Sequence, residues 1–222
     1  MMKALFDPDV KVVLPDGSSR RLFDYLLPSA LLMLAALMLM VSIFLPYWGM
    51  NMYAPQYPRH LGGLKVDVYI NHLEGDMREI DELNHYIGLP PLDEGGQLER
   101  SISVYAVVAL GLLLMAGVFV HNQWAGIMAL PILGYPLVFI ADLWWILYSY
   151  GHSIDPASAL GGAIGPFTPP ILGVGKIAQF ETEASFGMGF YLALVAIGVL
   201  LVGLWFHRAA YKPIVDARKK EK

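Results

Sequence analysis

Four stretches of this chain are apolar on every side, with no polar face at helical or strand spacing: Leu26 to Pro46, Ile102 to Val120, Ala125 to Tyr150 and Gly187 to Phe206. A helix needs about 20 apolar residues to cross a bilayer, whereas a barrel strand needs about half that and alternates. Lipid offers no partner to backbone N–H and C=O groups, so blocks of this length are expected to be transmembrane helices. The division that follows is a polar N-terminal segment 1–25, spans 26–46, 102–120, 125–150 and 187–206, loops 47–101 and 151–186, an inner turn 121–124 and a basic tail 207–222. A secretory signal would place its apolar stretch nearer the start, before a small-residue cleavage site, so the first block is expected to remain as an anchor. Turns are expected in the N-terminal segment at Pro8, Pro15, Asp16 and Gly17.

Between the spans the pattern changes. Leu64, Val66, Val68 and Ile70 alternate with Lys65, Asp67, Tyr69 and Asn71, which predicts a half-buried strand. A short helix is expected next, with Asp76 as N-cap and Glu79 completing a capping box. Ile80, Leu83 and Ile87 supply its one apolar face, and Gly88 with Pro90-Pro91 ends it. The second loop carries Gly161-Gly162, Gly165-Pro166 and Pro169-Pro170 and reads as an ordered but irregular cover. The expected fold is therefore an all-α integral membrane protein, a four-transmembrane-helix bundle with a small α+β extracytoplasmic cap formed by the two loops.

Composition supports the membrane reading: 56% of residues are hydrophobic and 15% charged, against about 25% charged in soluble domains. Charge distribution orients the chain. Ten Lys and Arg lie in the two terminal segments (Lys3, Lys11, Arg20, Arg21, Arg208, Lys212, Arg218, Lys219, Lys220, Lys222) and five in the much longer loops (Arg59, Lys65, Arg78, Arg100, Lys176). The positive-inside rule then predicts cytoplasmic termini and loops facing out. Tyr47, Trp48, Trp124, Trp144, Trp145, Tyr148, Tyr150 and Trp205 stand at block ends, where membrane helices place headgroup-level aromatics. The first loop is acidic, with nine Asp or Glu against four Lys or Arg. No basic patch suggests a nucleic-acid partner.

Cysteine is absent, which excludes disulfides, thiolate metal sites and c-type haem attachment. Four of six histidines (His60, His72, His85, His152) fall in the loops, beside Met50, Met52 and Met77. Imidazole with thioether is a ligand set suited to copper, although the spacing forms no motif and solvated or capping histidines are the more ordinary reading. Asp81 stands one turn before His85, where its carboxylate would orient the ring. Asp142 is the one acidic residue inside a span, about 12 Å from the helix end at about 1.5 Å per residue. Such residues serve a site or take a hydrogen bond from a neighbouring helix; Pro131 and Pro136 would open the span nearby. His121 and His207 end spans two and four, where they would face each other, as ligands of a b-type haem or as ordinary interfacial histidines.

Two loop stretches carry a resemblance. One is Tyr53-Ala-Pro-Gln-Tyr-Pro-Arg-His-Leu-Gly-Gly63 with Leu83-Asn84-His85-Tyr86-Ile87-Gly88; the other is Tyr150-Gly-His-Ser-Ile-Asp-Pro156, continuing to Pro166-Phe-Thr-Pro-Pro170 and Ile171-Leu172-Gly173. Together they resemble a small family of four-span membrane proteins whose genes stand beside nitrous-oxide reductase and its copper-maturation factors in bacterial gene clusters. The resemblance implies a bacterial inner-membrane location and a non-enzymatic accessory role in maturing, supplying with copper or anchoring a periplasmic copper enzyme. It carries over His60, Asn84, His85, Tyr86, His152 and Asp155, while Leu89 replaces the family's methionine after Ile87-Gly88. On the histidines and the resemblance together, His85 and His152 would meet in the cap, His60 or Met77 would complete a copper site, and Asp81 and Asp155 would orient the rings. The alternative is a docking subunit of a membrane electron-transfer complex. A transporter is weaker: no inverted repeat is visible.

Overall fold

A computed structural model describes residues 11–13, 19–121, 124–177 and 179–220; the turns expected at Pro8, Pro15, Asp16 and Gly17 lie outside them. A short antiparallel hairpin pairs β1 (Lys11–Val13) with β2 (Ser19–Arg21). The helices are α1 (Phe23–Ser42), α2 (Met77–Ile87), α3 (Gln97–Gly117), α4 (Trp124–Gly151), the single turn α5 (Gly161–Ile164) and α6 (Met188–Lys220). Among the described residues, four helices (α1, α3, α4 and α6) are long and apolar enough to cross a membrane. The chain is thus a multi-pass membrane protein. α4 runs unbroken through Pro131 and Pro136, and α6 continues helically through most of the expected tail.

The chain divides into two compact units. The terminal unit takes in Met1–Met40, Val108–Gly134 and Ala193–Lys222. Its helices meet around Leu32, Leu114, Ala129, Ile132 and Leu200, all buried. Lipid-facing helices have no hydrophobic drive to associate, so small residues at the seams matter. Ala35, Ala36, Ala125, Ala193 and Ala196 are all buried here. His121 and His207 do face each other, with rings parallel at 5.6 Å and Tyr211 packed against both, at 4.1 and 4.7 Å.

The cap unit takes in Val41–Val107 and Tyr135–Leu192. Its five-stranded antiparallel sheet comprises β3 (Trp48–Tyr53), β4 (Leu64–Val68), β5 (Leu73–Gly75), β6 (Gly173–Ile177) and β7 (Phe180–Phe186), in the order β5-β4-β3-β7-β6. The two loops therefore share one sheet, joined where β3 pairs β7 from Trp48↔Phe186 to Tyr53↔Glu181. The second loop is not irregular as expected: Phe180, Thr182 and Ala184 are buried in alternation with Glu181 and Glu183. The strand expected over Leu64–Ile70 is β4, ending at Val68, and it finds both a strand on each side and a helix over its face. Leu64, Val66, Ile80 and Phe180 form one buried cluster, against which Met52, Met77 and Leu83 pack. Trp48, Leu143, Leu147 and Ala184 form the other, which joins the sheet to α4.

Two expectations fail at the sheet's entry. Tyr47 and Trp48 are not headgroup anchors: they are 0% and 2% exposed. Tyr47 and Ser42 share a hydroxyl hydrogen bond of 2.6 Å, and the indole N–H of Trp48 donates to the Ile171 carbonyl at 2.6 Å. Burial pushes the Tyr47 phenol above its ordinary pKa, so it stays a neutral hydrogen-bonding group. By contrast Trp124, Trp144, Trp145 and Trp205 are exposed on their helices, as anchors should be.

Candidate functional site

The two resembling stretches meet at one joint. α2 ends as expected at Gly88, in the left-handed region at φ 84°. A helix end leaves carbonyls without intrahelical partners. Here the second loop supplies them: Leu160 N–H donates to the Tyr86 carbonyl at 3.0 Å, Ser158 Oγ to Ile87 at 2.9 Å and Asp155 N–H to Gly88 at 2.9 Å. Asp155 turns its carboxylate back on the Ala157 N–H at 2.9 Å, closing the turn that presents Ser158. A Cβ at Gly88 would lie 2.3 Å from Ser158 Oγ, so only glycine permits this approach.

Asn84, 7% exposed, bonds the same turn of α2 to the transmembrane helix below. Its amide donates to Tyr150 Oη at 2.9 Å, and Tyr150 Oη donates to the Pro90 carbonyl at 2.6 Å. The first stretch is fastened differently. Arg59 lies over the Tyr53 ring at 4.2 Å and pairs with Glu181 at 2.9 Å and Glu183 at 2.7 Å on β7. Tyr57 donates to Glu79 on α2 at 2.5 Å.

The carboxylates expected to orient histidines or cap a helix are engaged elsewhere. Asp81 accepts the Leu92 N–H at 2.8 Å and makes no hydrogen bond to His85. Asp76 stands at the N-cap of α2 without capping it; its carboxylate takes the Lys65 N–H at 2.8 Å, and Glu79 takes Tyr57. The hairpin and the loop offer fixed donors nearby, and those prevail over the local capping box.

The copper donors do not come together. His85 is exposed with Tyr86 as its ring neighbour at 6.2 Å. His152 stacks on Tyr148 at 4.0 Å and donates Nδ1–H to the Tyr148 carbonyl at 2.8 Å. His60 sits exposed on the short turn Arg59–Leu61, and Met77 packs into the core beneath β4. Among the described residues no three His, Cys, Asp or Glu side chains converge as metal ligands would. The donor set as folded does not fit a copper ion. Asp142 is half-buried on α4 without a hydrogen-bonding partner among the described residues.

Sequence reasoning missed a cavity. It lies in the cap unit, has a volume of about 150 Å³, and is walled by Trp48 and Met50 from the sheet, Ile80 and Leu83 from α2, and Leu143 and Leu147 from α4. Asn84, Tyr150 and Arg100 contribute the polar groups. Left empty, a void of this size would cost on the order of 3–4 kcal/mol at about 24 cal/mol per Å³. Its walls come from segments spread along the chain between Trp48 and Phe180, so no local pattern could have announced it. Comparison with protein families, with curated proteins and with solved structures finds no match to the chain.

Proposed function

We propose that this is a non-enzymatic accessory protein of the bacterial inner membrane, whose cap docks a periplasmic copper enzyme of the nitrous-oxide reductase type or one of its maturation factors. The resemblance supplies the identity of the partner. The observation that supports docking is the joint: buried Asn84, half-buried Ser158 and exposed Asp155 are all committed to hydrogen bonds within it, while the side chains of Tyr86 and Leu160 stand outward without such bonds. Tyr86 is 61% and Leu160 49% exposed, and the backbone bond between them holds both in place. Tyrosine on a rigid element is a favoured anchor of protein interfaces. His85 stands beside Tyr86 on the same helix. In this reading copper belongs to the partner, and His85 and His152 are contact residues. The acidic first loop favours a partner with a basic face.

The test is co-purification from native membranes in mild detergent. Tyr86→Ala changes an exposed side chain and should shift stability by no more than about 0.5 kcal/mol. Recovery of the partner, identified by mass spectrometry, should fall about tenfold or more, as for loss of an anchor worth roughly 1.4 kcal/mol. Unchanged recovery of a copper enzyme, or co-purification with membrane cytochromes instead, would sink the reading.

Orientation is tested separately. Because the chain has no cysteine, Glu94→Cys and Lys212→Cys each introduce a single thiol at an exposed position. An impermeant maleimide applied to spheroplasts should label the first and reach the second only after lysis. The reverse result would place the cap in the cytoplasm.

A further inference from the structure

We propose that the cavity of the cap unit binds a segment of one acyl chain of a glycerophospholipid, drawn from the leaflet on the cap side. Its polar groups leave little for a polar ligand: Asn84 donates to Tyr150, and Tyr150 donates to Pro90. Apart from Arg100 at one edge, the remaining side chains of the wall are apolar, and apolar cavities stay dry and take apolar guests. A volume of about 150 Å³ matches a ring-sized guest in a soluble core, so it admits part of a chain rather than a whole lipid.

Depth identifies the source. The turns of α4 that line the cavity with Leu143, Ile146 and Leu147 expose Trp144 and Trp145, 47% and 56%, with Tyr148 at 37% stacked on both. Such rings mark the level of the headgroups. At the cavity wall, in the first turn of α3, stands Arg100, with its side chain 15% exposed. It is held by the Asp93 carbonyl, by a longer contact to the Asp93 carboxylate at 3.3 Å and by its Nε–H to the Gly96 carbonyl at 3.4 Å. A guanidinium has five donors in a planar fork suited to phosphate oxygens, and these contacts leave some of them for a headgroup. An apolar chain beside a cation at this depth is the chemistry of an anionic or zwitterionic phospholipid, whereas an isoprenoid quinone would leave Arg100 without a phosphate.

Trp48 lines the cavity and is 2% exposed, so it touches no bulk lipid and can report on the cavity alone. The full chain with Trp124, Trp144, Trp145 and Trp205 all changed to Phe keeps Trp48 as its one indole. In nanodiscs whose acyl chains carry bromine, Trp48 should lose most of the emission it shows in unbrominated nanodiscs. Adding Leu83→Phe, which fills the cavity from α2, should restore it, and Arg100→Gln should reduce the phospholipid retained by the purified protein. Equal emission in the two nanodiscs, quenching that survives Leu83→Phe, or extraction of a quinone in place of phospholipid would each overturn the proposal.

Discussion

Val66→Asp should abolish the folded cap. Val66 is 4% exposed, sits on the central half of the sheet opposite Met50, and belongs to the cluster with Leu64, Ile80 and Phe180. A carboxylate there has no cation within the cluster to meet, so it must either stay charged in an apolar wall or take up a proton. Either route costs on the order of 3–5 kcal/mol, a large share of what holds a domain together. Asp67→Asn, one residue along, is the control. Its carboxylate meets Lys65 at 2.7 Å on the exposed side, and exposed pairs contribute about 0–1 kcal/mol. The measurement is protein yield together with limited proteolysis of the loops in detergent. Val66→Asp should be cleaved rapidly and Asp67→Asn should resist like the parent. Equal resistance would mean that the sheet does not depend on its buried face.

The contrast between those neighbours also shows why part of the cap was legible. β4 and α2 each carry a complete local pattern, with Leu64 and Val66 at period two, and Ile80, Leu83 and Ile87 along one helix face. Their extents follow from that pattern almost to the residue. β3 was not legible because it begins at Trp48, directly after an apolar block, where an aromatic pair reads as a membrane anchor. Its pairing with β4 on one side and with β7, more than a hundred residues away, on the other makes it a strand. β7 does alternate, but Thr182 and Ala184 at inward positions weaken its apolar period, and the glycines and prolines before it suggest a loop. The expected metal site failed for a related reason. Type and spacing put imidazoles and carboxylates in the same loops, yet each carboxylate found a backbone N–H first: Asp81 at Leu92, Asp155 at Ala157 and Asp76 at Lys65. A sequence shows which groups are available; competition among partners decides which are left over.

That competition is concentrated at Gly88, and Gly88→Ala should open the joint. Two costs add there. An L-residue at φ 84° costs about 1–2 kcal/mol relative to glycine. The new methyl would also lie 2.3 Å from Ser158 Oγ and 2.8 Å from the Asp155 carbonyl, so the loop must retreat from the end of α2. Its retreat breaks the bonds to Tyr86, Ile87 and Gly88, each worth roughly 0.5–1.5 kcal/mol net. Because these bonds act together, the loop is expected to detach as a unit rather than shift. Hydrogen exchange should show the Leu160 and Asp155 amides losing protection, while the amides of β3 and β4, held by their own ladder, keep theirs. Ser158→Ala removes the hydroxyl's bonds to the Ile87 and Asp155 carbonyls and to the Gly161 N–H. It adds no clash and leaves the Leu160 and Asp155 amide bonds in place, so it should expose those amides far less. If docking runs through Tyr86 and Leu160, Gly88→Ala should also release the partner, because it separates two contact residues without altering either. A partner retained by Gly88→Ala but lost by Tyr86→Ala would confine the interface to α2 and remove the second loop from it.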